Sequence, residues 1–498
     1  MGQGLLEHDE AGTPYWTYGG DYGPANVRSS GNFNFNGIVV SDRSVQPAYW
    51  EVKRVYQHVD FQADDLDTGA LTIVNKYGFM SLRGFELHWE LMKDGIAIET
   101  GVRDLLEIVP DGSRSIELGY SPTRWVGFTY HLNLRLISPE ARGILPAGHV
   151  YAEEQFFILS SSAMDGDHRA ENGSLTTEES EQAITITGEN FSSRFDRDTG
   201  LLSSLIFEGE ELLLRPLTPN FWRAPTDNDF GNYMPDWAQA WEQAGRNRRL
   251  DSLRLILKSA DRVEIEAAYA FYDDHGGAVA EWRSRFTIWS TGDIDIENFF
   301  EKGLDLPIVP RIGMNLELPK RLNQTEWFGR GPFENYSDRK LAAKVGRYRM
   351  PVSDHYVPYH RPQENGYKTD VRWLSLTDGR KTGLLIQAHD YEFIAFSVHH
   401  NRQEDFIPPV KIAITSEDGP GARKNDERVN IHVNDIVPGD FVSLNIDYGQ
   451  MGVGGDDSWG KKTLMKYSLT ENQYHYGFRL RPFLLSEGRL DELLGAVK

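Results

Sequence analysis

Residues 451–460 read MGVGGDDSWG and hang Trp459, the bulkiest kind of side chain, on a loop. Gly452, Gly454 and Gly455 free the backbone to turn, and Asp456, Asp457 and Ser458 carry short side chains that bond nearby backbone. A tryptophan used only as core belongs on a strand or helix, so this one asks for a reason. A second loaded stretch is NFWRAPTDNDFGN, residues 220–232, where Arg223 stands among aromatics and a proline turn, followed by Asp227, Asn228 and Asp229. It reads either as a binding loop or as a structural knot, with Asx side chains bonding backbone and Arg223 paired to an aspartate. The knot is favoured for Arg223 and Asp227, because such clusters more often brace loops than bind ligands.

Three further stretches carry polar residues. WFGRGPFENYSDRK, residues 327–340, sets two glycines and a proline before Glu334 and Asn335 and reads as a mobile loop. RPQENGYKTDVRW, residues 361–373, has a second Glu-Asn turn before Lys368, Asp370 and Arg372, and each residue is ordinary for a solvated loop. In FNFNG, residues 33–37, an Asn side chain and a free backbone carbonyl could share a hard cation, since oxygen ligands suit one. The alternative is an Asn that caps a turn before Gly37.

The elements that must hold these residues are mostly strands. PYWTYGG, from Pro14 to Gly20, is a short β-prone run. Further on, Pro47 is placed at the first turn of a helix whose Ala48, Val52, Val55 and Tyr56 share one face. From about Val59 to Ser160 apolar and polar residues alternate, as in FELHWELM, and Lys93-Asp94-Gly95 is a hairpin turn. Five or more strands in that span predict an immunoglobulin-like sandwich. Residues 161–182 are polar and read as a linker. Residues 183–498 contain more than a dozen β-prone runs, which fit one large two-sheet sandwich. MPDWAQAWEQAG is one short helix with Trp237 and Trp241 at i, i+4, and EGRLDELLGAVK predicts a C-terminal helix.

Composition excludes several functions. The 498 residues carry 52 Lys plus Arg against 74 Asp plus Glu, a net charge of −22, and no basic patch offsets it. Nucleic acid and acidic membrane surfaces are therefore not expected partners. There are no cysteines, which removes disulfides, thiolate metal sites and thiol nucleophiles, and leans toward a reducing, cytoplasmic setting. No apolar run approaches a membrane span of about 20 residues, and MGQGLLEHDE lacks signal-peptide character. Aromatics reach 12% of the chain. They fit core filling in β-rich domains or flat platforms for the apolar C–H faces of sugars, and composition does not choose between the two.

Taken together, GLLEHDEAGTPYWTYGGDYG, FNFNG, PLTPNFWRAPTDNDFG, WFGRGPFENY, PQENG and MGVGGDDSW occur in the order and spacing of the C-terminal half of lac-type, long-chain β-galactosidases of glycoside hydrolase family 2. The resemblance runs from about Gln3 to about Arg481. It implies a mainly β fold: the last strand and helix of a TIM barrel (1–58), an immunoglobulin-like β-sandwich (59–160), a linker (161–182) and a large β-supersandwich (183–498). It further implies that Trp459 forms part of the sugar platform. The Phe33 carbonyl and the Asn36 side chain would help hold a sodium ion beside the galactose 6-hydroxyl, with Phe33 also touching the sugar. The chain departs from the family where Asn34 replaces the usual cysteine.

Retaining glycosidases need two carboxyls about 5–5.5 Å apart. In the family these come from earlier barrel strands, and the acid/base glutamate follows an asparagine. No Asn-Glu dipeptide occurs here, nor does the nucleophile's Glu-Tyr-Ala-His pattern. The expectation is a C-terminal portion of a β-galactosidase that has no catalytic residue of its own and is inactive alone. Magnesium would sit only in the other half. Its partners would be a β-galactoside such as lactose and an N-terminal half or another copy. Two alternatives stand beside this. One is a mutarotase-like aldose epimerase on the large sandwich, with His360 and Glu364 as the acid–base pair. The other is a non-catalytic carbohydrate-binding or assembly module.

Overall fold

A computed structural model describes residues 4–22, 37–104, 107–120, 128–160, 173–303, 305–389, 393–407, 431–457 and 460–487. The expected C-terminal helix falls almost entirely on 488–498, outside these residues. The chain begins with a hairpin: Leu5–His8 pairs antiparallel with Pro14–Thr17, so that Leu6 faces Trp16. The turn is closed by Asp9, whose Oδ1 accepts the amides of Ala11 and Thr13 at 2.9 and 2.8 Å. The run PYWT is therefore not an isolated strand with two open edges, because LLEH covers one of them. Pro47–Val55 is the expected helix, with Pro47 in its first turn. Its apolar face is not packed away: Val52, Val55 and Tyr56 are 38%, 57% and 73% exposed.

Residues 59–160 bury their own core. One sheet joins Val59–Asp65, Ala70–Asn75 and Ser113–Glu117; the other runs Ile96–Asp104, Glu86–Lys93, Thr129–Ile137, Val150–Ser160. Glu86–Lys93 alternates strictly, sending Leu87, Trp89 and Leu91 inward. The Asp94-Gly95 turn has positive φ at both residues, 46° and 78°, as a two-residue hairpin turn of this twist requires.

The larger unit contains three sheets rather than two. A five-stranded sheet covers Thr176–Glu179 through Glu210–Glu211, so the end of the polar stretch before 183 is itself a paired strand. A nine-stranded sheet supplies the largest share of the core. Against it lies a five-stranded sheet in the order Arg215–Asn220, Arg311–Pro319, Phe441–Gln450, Ile394–His399, Lys368–Val371. This sheet has two opposite faces, because side chains alternate along each strand. Ile312, Met314, Leu316, Leu444 and Ile446 enter the core. Arg311, Asn315, Glu317, Ser443, Asn445 and Asp447 occupy the alternate positions. The predicted single helix near Trp241 is two, Met234–Trp237 and Gln239–Arg246, broken at Ala238, with Trp241 fully buried. Among the described residues no helix is long and apolar enough to cross a membrane.

Candidate functional site

Arg223 follows the strand Arg215–Asn220 and is completely buried. Its Nε and Nη2 donate to the two carboxylate oxygens of Asp229 at 3.0 and 2.8 Å, a bidentate fork. The remaining donors go to the root of the Gly-rich loop: Nη1 to Gln450 Oε1 (3.1 Å) and the Met451 carbonyl (2.6 Å), Nη2 to the Gly452 carbonyl (3.0 Å). Asp229 is fixed in turn by a capping box. Thr226 Oγ1 accepts the Asp229 amide at 3.1 Å, and Asp229 Oδ2 accepts the Thr226 amide at 2.9 Å. The expected Arg–Asp brace is thus present, and the aspartate is Asp229. Asp227 pairs instead with Arg361 at 2.9 Å.

Two more side chains grip the same loop. Asn228 Nδ2 donates to the Val453 carbonyl at 3.1 Å. Asp338 accepts the amides of Val453 (3.1 Å) and Gly454 (2.8 Å). Gly452 is required there, because a Cβ on it would stand 2.4 Å from Asp338 Oδ2. On the far side of the loop, Asp457 Oδ1 accepts the amides of Gly460 and Lys461 at 3.1 and 3.2 Å. Both roots of the loop that carries Trp459 are therefore held by short polar contacts. Trp459, Phe33 and Asn36 themselves lie outside the described residues.

The stretches read as mobile or solvated loops are largely buried. Trp327 is buried within the strand Gln324–Gly331, and Glu334, Asn335, Arg361, Glu364 and Lys368 are all buried. Burial of Glu334, Asn335 and Lys368 is tolerated because they find polar partners. Glu334 accepts the Gly366 amide at 2.8 Å and also bonds Arg339 and the Tyr359 hydroxyl. Asn335 Oδ1 accepts the Thr369 amide at 3.0 Å. Lys368 Nζ donates to the Gly366 carbonyl at 3.0 Å, and burial pushes its ammonium down to about 8.

A small cavity of about 200 Å³ does bring His360 and Glu364 together, with Glu334, Tyr336, Asp227 and Gln46 beside them. Glu364 is already engaged, accepting Arg311 Nη2 and Gln450 Nε2, each at 3.1 Å. Burial lowers the His360 imidazole below its ordinary value. Arg311 also reaches Asp447 at 3.1 Å, yet burial pushes that carboxyl up to about 7 against the attraction. Sequence reading missed this Arg311–Glu364–Asp447 cluster. Its signal was the alternation in RIGMNLELP, where every second residue is polar or glycine on a strand that should be core. Among the described residues no group of three His, Asp or Glu could hold a metal ion.

The N-terminal segment sits against this region. The rings of Tyr15 and Tyr18 lie 5.0 Å from His432, whose Nε2 is 2.9 Å from Asp21. Glu51 accepts the amides of Leu341 and Ala342 at 3.0 and 2.9 Å, and Trp50 stacks near Phe333.

Comparison with known proteins bears on these parts separately. The family described as the β-galactosidase small chain matches residues 187–480. β-Galactosidase domain 4 matches 71–158, and the glycosyl hydrolase family 2 TIM-barrel domain matches 1–61. The β-galactosidase of Priestia megaterium is 33% identical over 485 residues, covering 96% of this chain and 44% of that protein. That of Vibrio cholerae is 33% identical over 491 residues, with the same 96% and 44%. The chain thus spans less than half the length of the curated relatives it matches. A galactose 1-epimerase structure from Lactobacillus acidophilus covers 63% of this chain and 99% of its own at 8% identity and a TM-score of 0.29, too remote to carry an argument.

Proposed function

The chain belongs to the β-galactosidase small-chain family, and from that premise we propose that it lends part of the sugar site and the scaffold to a retaining β-galactosidase whose catalytic carboxyls come from a barrel half. The observation that carries this is the unpacked apolar surface of the N-terminal segment. Leu5 and Leu6 are 62% and 50% exposed, alongside Val52, Val55 and Tyr56 on the helix. These are residue types that a barrel buries between neighbouring strands and helices. A barrel half docking there would be seated on a segment that His432 and Glu51 already tie to the large sandwich.

In this reading Trp459 stacks on the apolar face of the galactose ring, presented on the loop that Arg223 and Asp338 hold. Phe33 and Asn36 add a carbonyl and an amide oxygen, hard donors suited to sodium near the sugar, and Phe33 touches the substrate. The acid/base and nucleophile, about 5–5.5 Å apart, and any magnesium belong to the other half. The substrates are terminal β-D-galactosides such as lactose, and the absence of cysteine fits a cytoplasmic setting. The mutarotase-like alternative is less favoured, since Glu364 is committed to Arg311 and Gln450 and is a poor candidate for moving protons.

The test is hydrolysis of a nitrophenyl β-galactoside by the purified chain, alone and mixed with an N-terminal barrel half of the same family. No turnover alone and activity on mixing are expected. Turnover by the chain alone, surviving a control for contaminating enzyme, would overturn the reading. Accelerated interconversion of galactose anomers would support the epimerase instead.

A further inference from the structure

The outward face of the sheet containing Arg311–Pro319 is polar, and a cleft of about 1220 Å³ opens on it. Asn220, Asn315, Ser443 and Gln403 line it, with Trp222 and Pro219. The amides form a row. Asn220 Nδ2 donates to Gln403 Oε1 (3.1 Å) and Asn445 Oδ1 (3.0 Å), and Asn315 Nδ2 donates to Asn445 Oδ1 (3.1 Å) and Ser443 Oγ (3.2 Å). Asn315 turns its nitrogen to the sheet, which leaves its Oδ1 for a ligand hydroxyl.

Charge narrows the ligand. Three arginines on the lining, Arg215, Arg246 and Arg402, are equalled in number by three glutamates, Glu242, Glu317 and Glu404, so the formal charges sum to zero. Glu317 is held by Arg402 at 2.6 and 3.2 Å and by Arg215 at 3.2 Å. A lining of balanced charge gives an ionic ligand no net attraction, and one seeking Arg215 or Arg402 would compete with Glu317, whereas a neutral polyol would not. The volume exceeds the roughly 300–1,000 Å³ of typical small-ligand pockets, which leaves room for more than one sugar ring. None of the lining residues belongs to the loop 451–457 or to its braces Arg223, Asn228, Asp229 and Asp338.

We propose that this cleft is a second saccharide site that takes a neutral oligosaccharide of two or more rings, separate from the site that Trp459 serves. The amide row would meet ring hydroxyls, and the half-buried Pro216 would meet a C–H face.

The experiment is equilibrium binding of a β-linked galactotriose to the full chain and to three variants. Trp459→Ala takes the platform out of the measurement, and the galactotriose should still bind at the cleft. Asn315→Leu/Gln403→Leu should bind at least tenfold more weakly. Gln403→Ala, a milder change on a half-buried residue, should cost about threefold and keeps the test decisive if the double variant fails to fold. Galactose 6-phosphate should compete no better than galactose. The proposal is overturned if no binding is seen, if Trp459→Ala alone abolishes it, if Gln403→Ala leaves it unchanged, or if the phosphate wins by tenfold or more. A failure of the galactosidase reading would leave these outcomes unaffected.

Discussion

Arg223→Lys keeps the charge and removes the fork. The guanidinium makes five hydrogen bonds at full burial: two to Asp229 and one each to Gln450, Met451 and Gly452. An ammonium has three donors on a more flexible stem. At least two buried acceptors therefore lose their partner, at about 1–3 kcal/mol each, so the variant should lose about 2–6 kcal/mol. That is a large share of the roughly 5–15 kcal/mol a domain has. Urea unfolding followed by tryptophan fluorescence should show the midpoint fall with little change in slope. In the assembled enzyme the same variant should raise KM several-fold, because the loop root moves with it. Stability within about 0.5 kcal/mol of the parent would refute the hydrogen-bond account. A large stability loss with KM unchanged would show that Arg223 supports the sandwich and not the platform.

Trp459→Ala should raise KM about 5- to 150-fold in the assembled enzyme while sparing the melting temperature, since ring–sugar stacking is worth roughly 1–3 kcal/mol by analogy with other aromatic platforms. Loss of several degrees with KM unchanged would make it core. For pH, burial pushes His399 and His131 down to about 4, so both are neutral in the fold and charged once unfolded below about 6.5. Their stabilisation is full above pH 6.5 and is lost as pH falls toward 4. Asp447, pushed up to about 7, has the opposite sign: its share declines as pH rises from 3.8 to 7. His399→Gln should flatten the acid-side slope of urea stability by at most about 1.4 kcal/mol per pH unit, and Asp447→Asn should steepen it; identical slopes in parent and variants would contradict the assignment. In hydrogen exchange, Leu5–His8 and Pro14–Thr17 should exchange faster than Arg311–Pro319 and Phe441–Gln450, because each strand of that hairpin has an open edge and its leucines are exposed. Equal protection in a monomer would show that it has stable packing of its own.

Local chemistry was legible in the sequence where neighbours in the chain decide the outcome. Asp94-Gly95 turns because both positions need positive φ, and Pro47 opens its helix because its missing N–H costs nothing there. The alternation of Glu86–Lys93 survives as an inward row. Legibility failed where partners come from far away. Glu334 and Glu364 look like surface residues until Tyr359, Arg311 and Gln450 are brought to them. Adjacent Leu5 and Leu6 break strand alternation, so the pairing of LLEH with PYWT was invisible, and the break at Ala238 has no Gly or Pro to announce it. The Arg223 brace was readable as a type of contact, but not the loop it holds.

That brace has a consequence for how the molecule comes into being. The bonds from Arg223 to Gln450, Met451 and Gly452 close across 227, 228 and 229 residues of chain. Contacts of such separation form only after the entropy of the intervening loop has been spent, hence late in folding. Pairing of the strands between them shortens that loop and brings the arginine within reach of Gly452. On the role proposed for Trp459, a nascent or partly folded chain would therefore offer no sugar platform, and ligand recognition would read out completed folding.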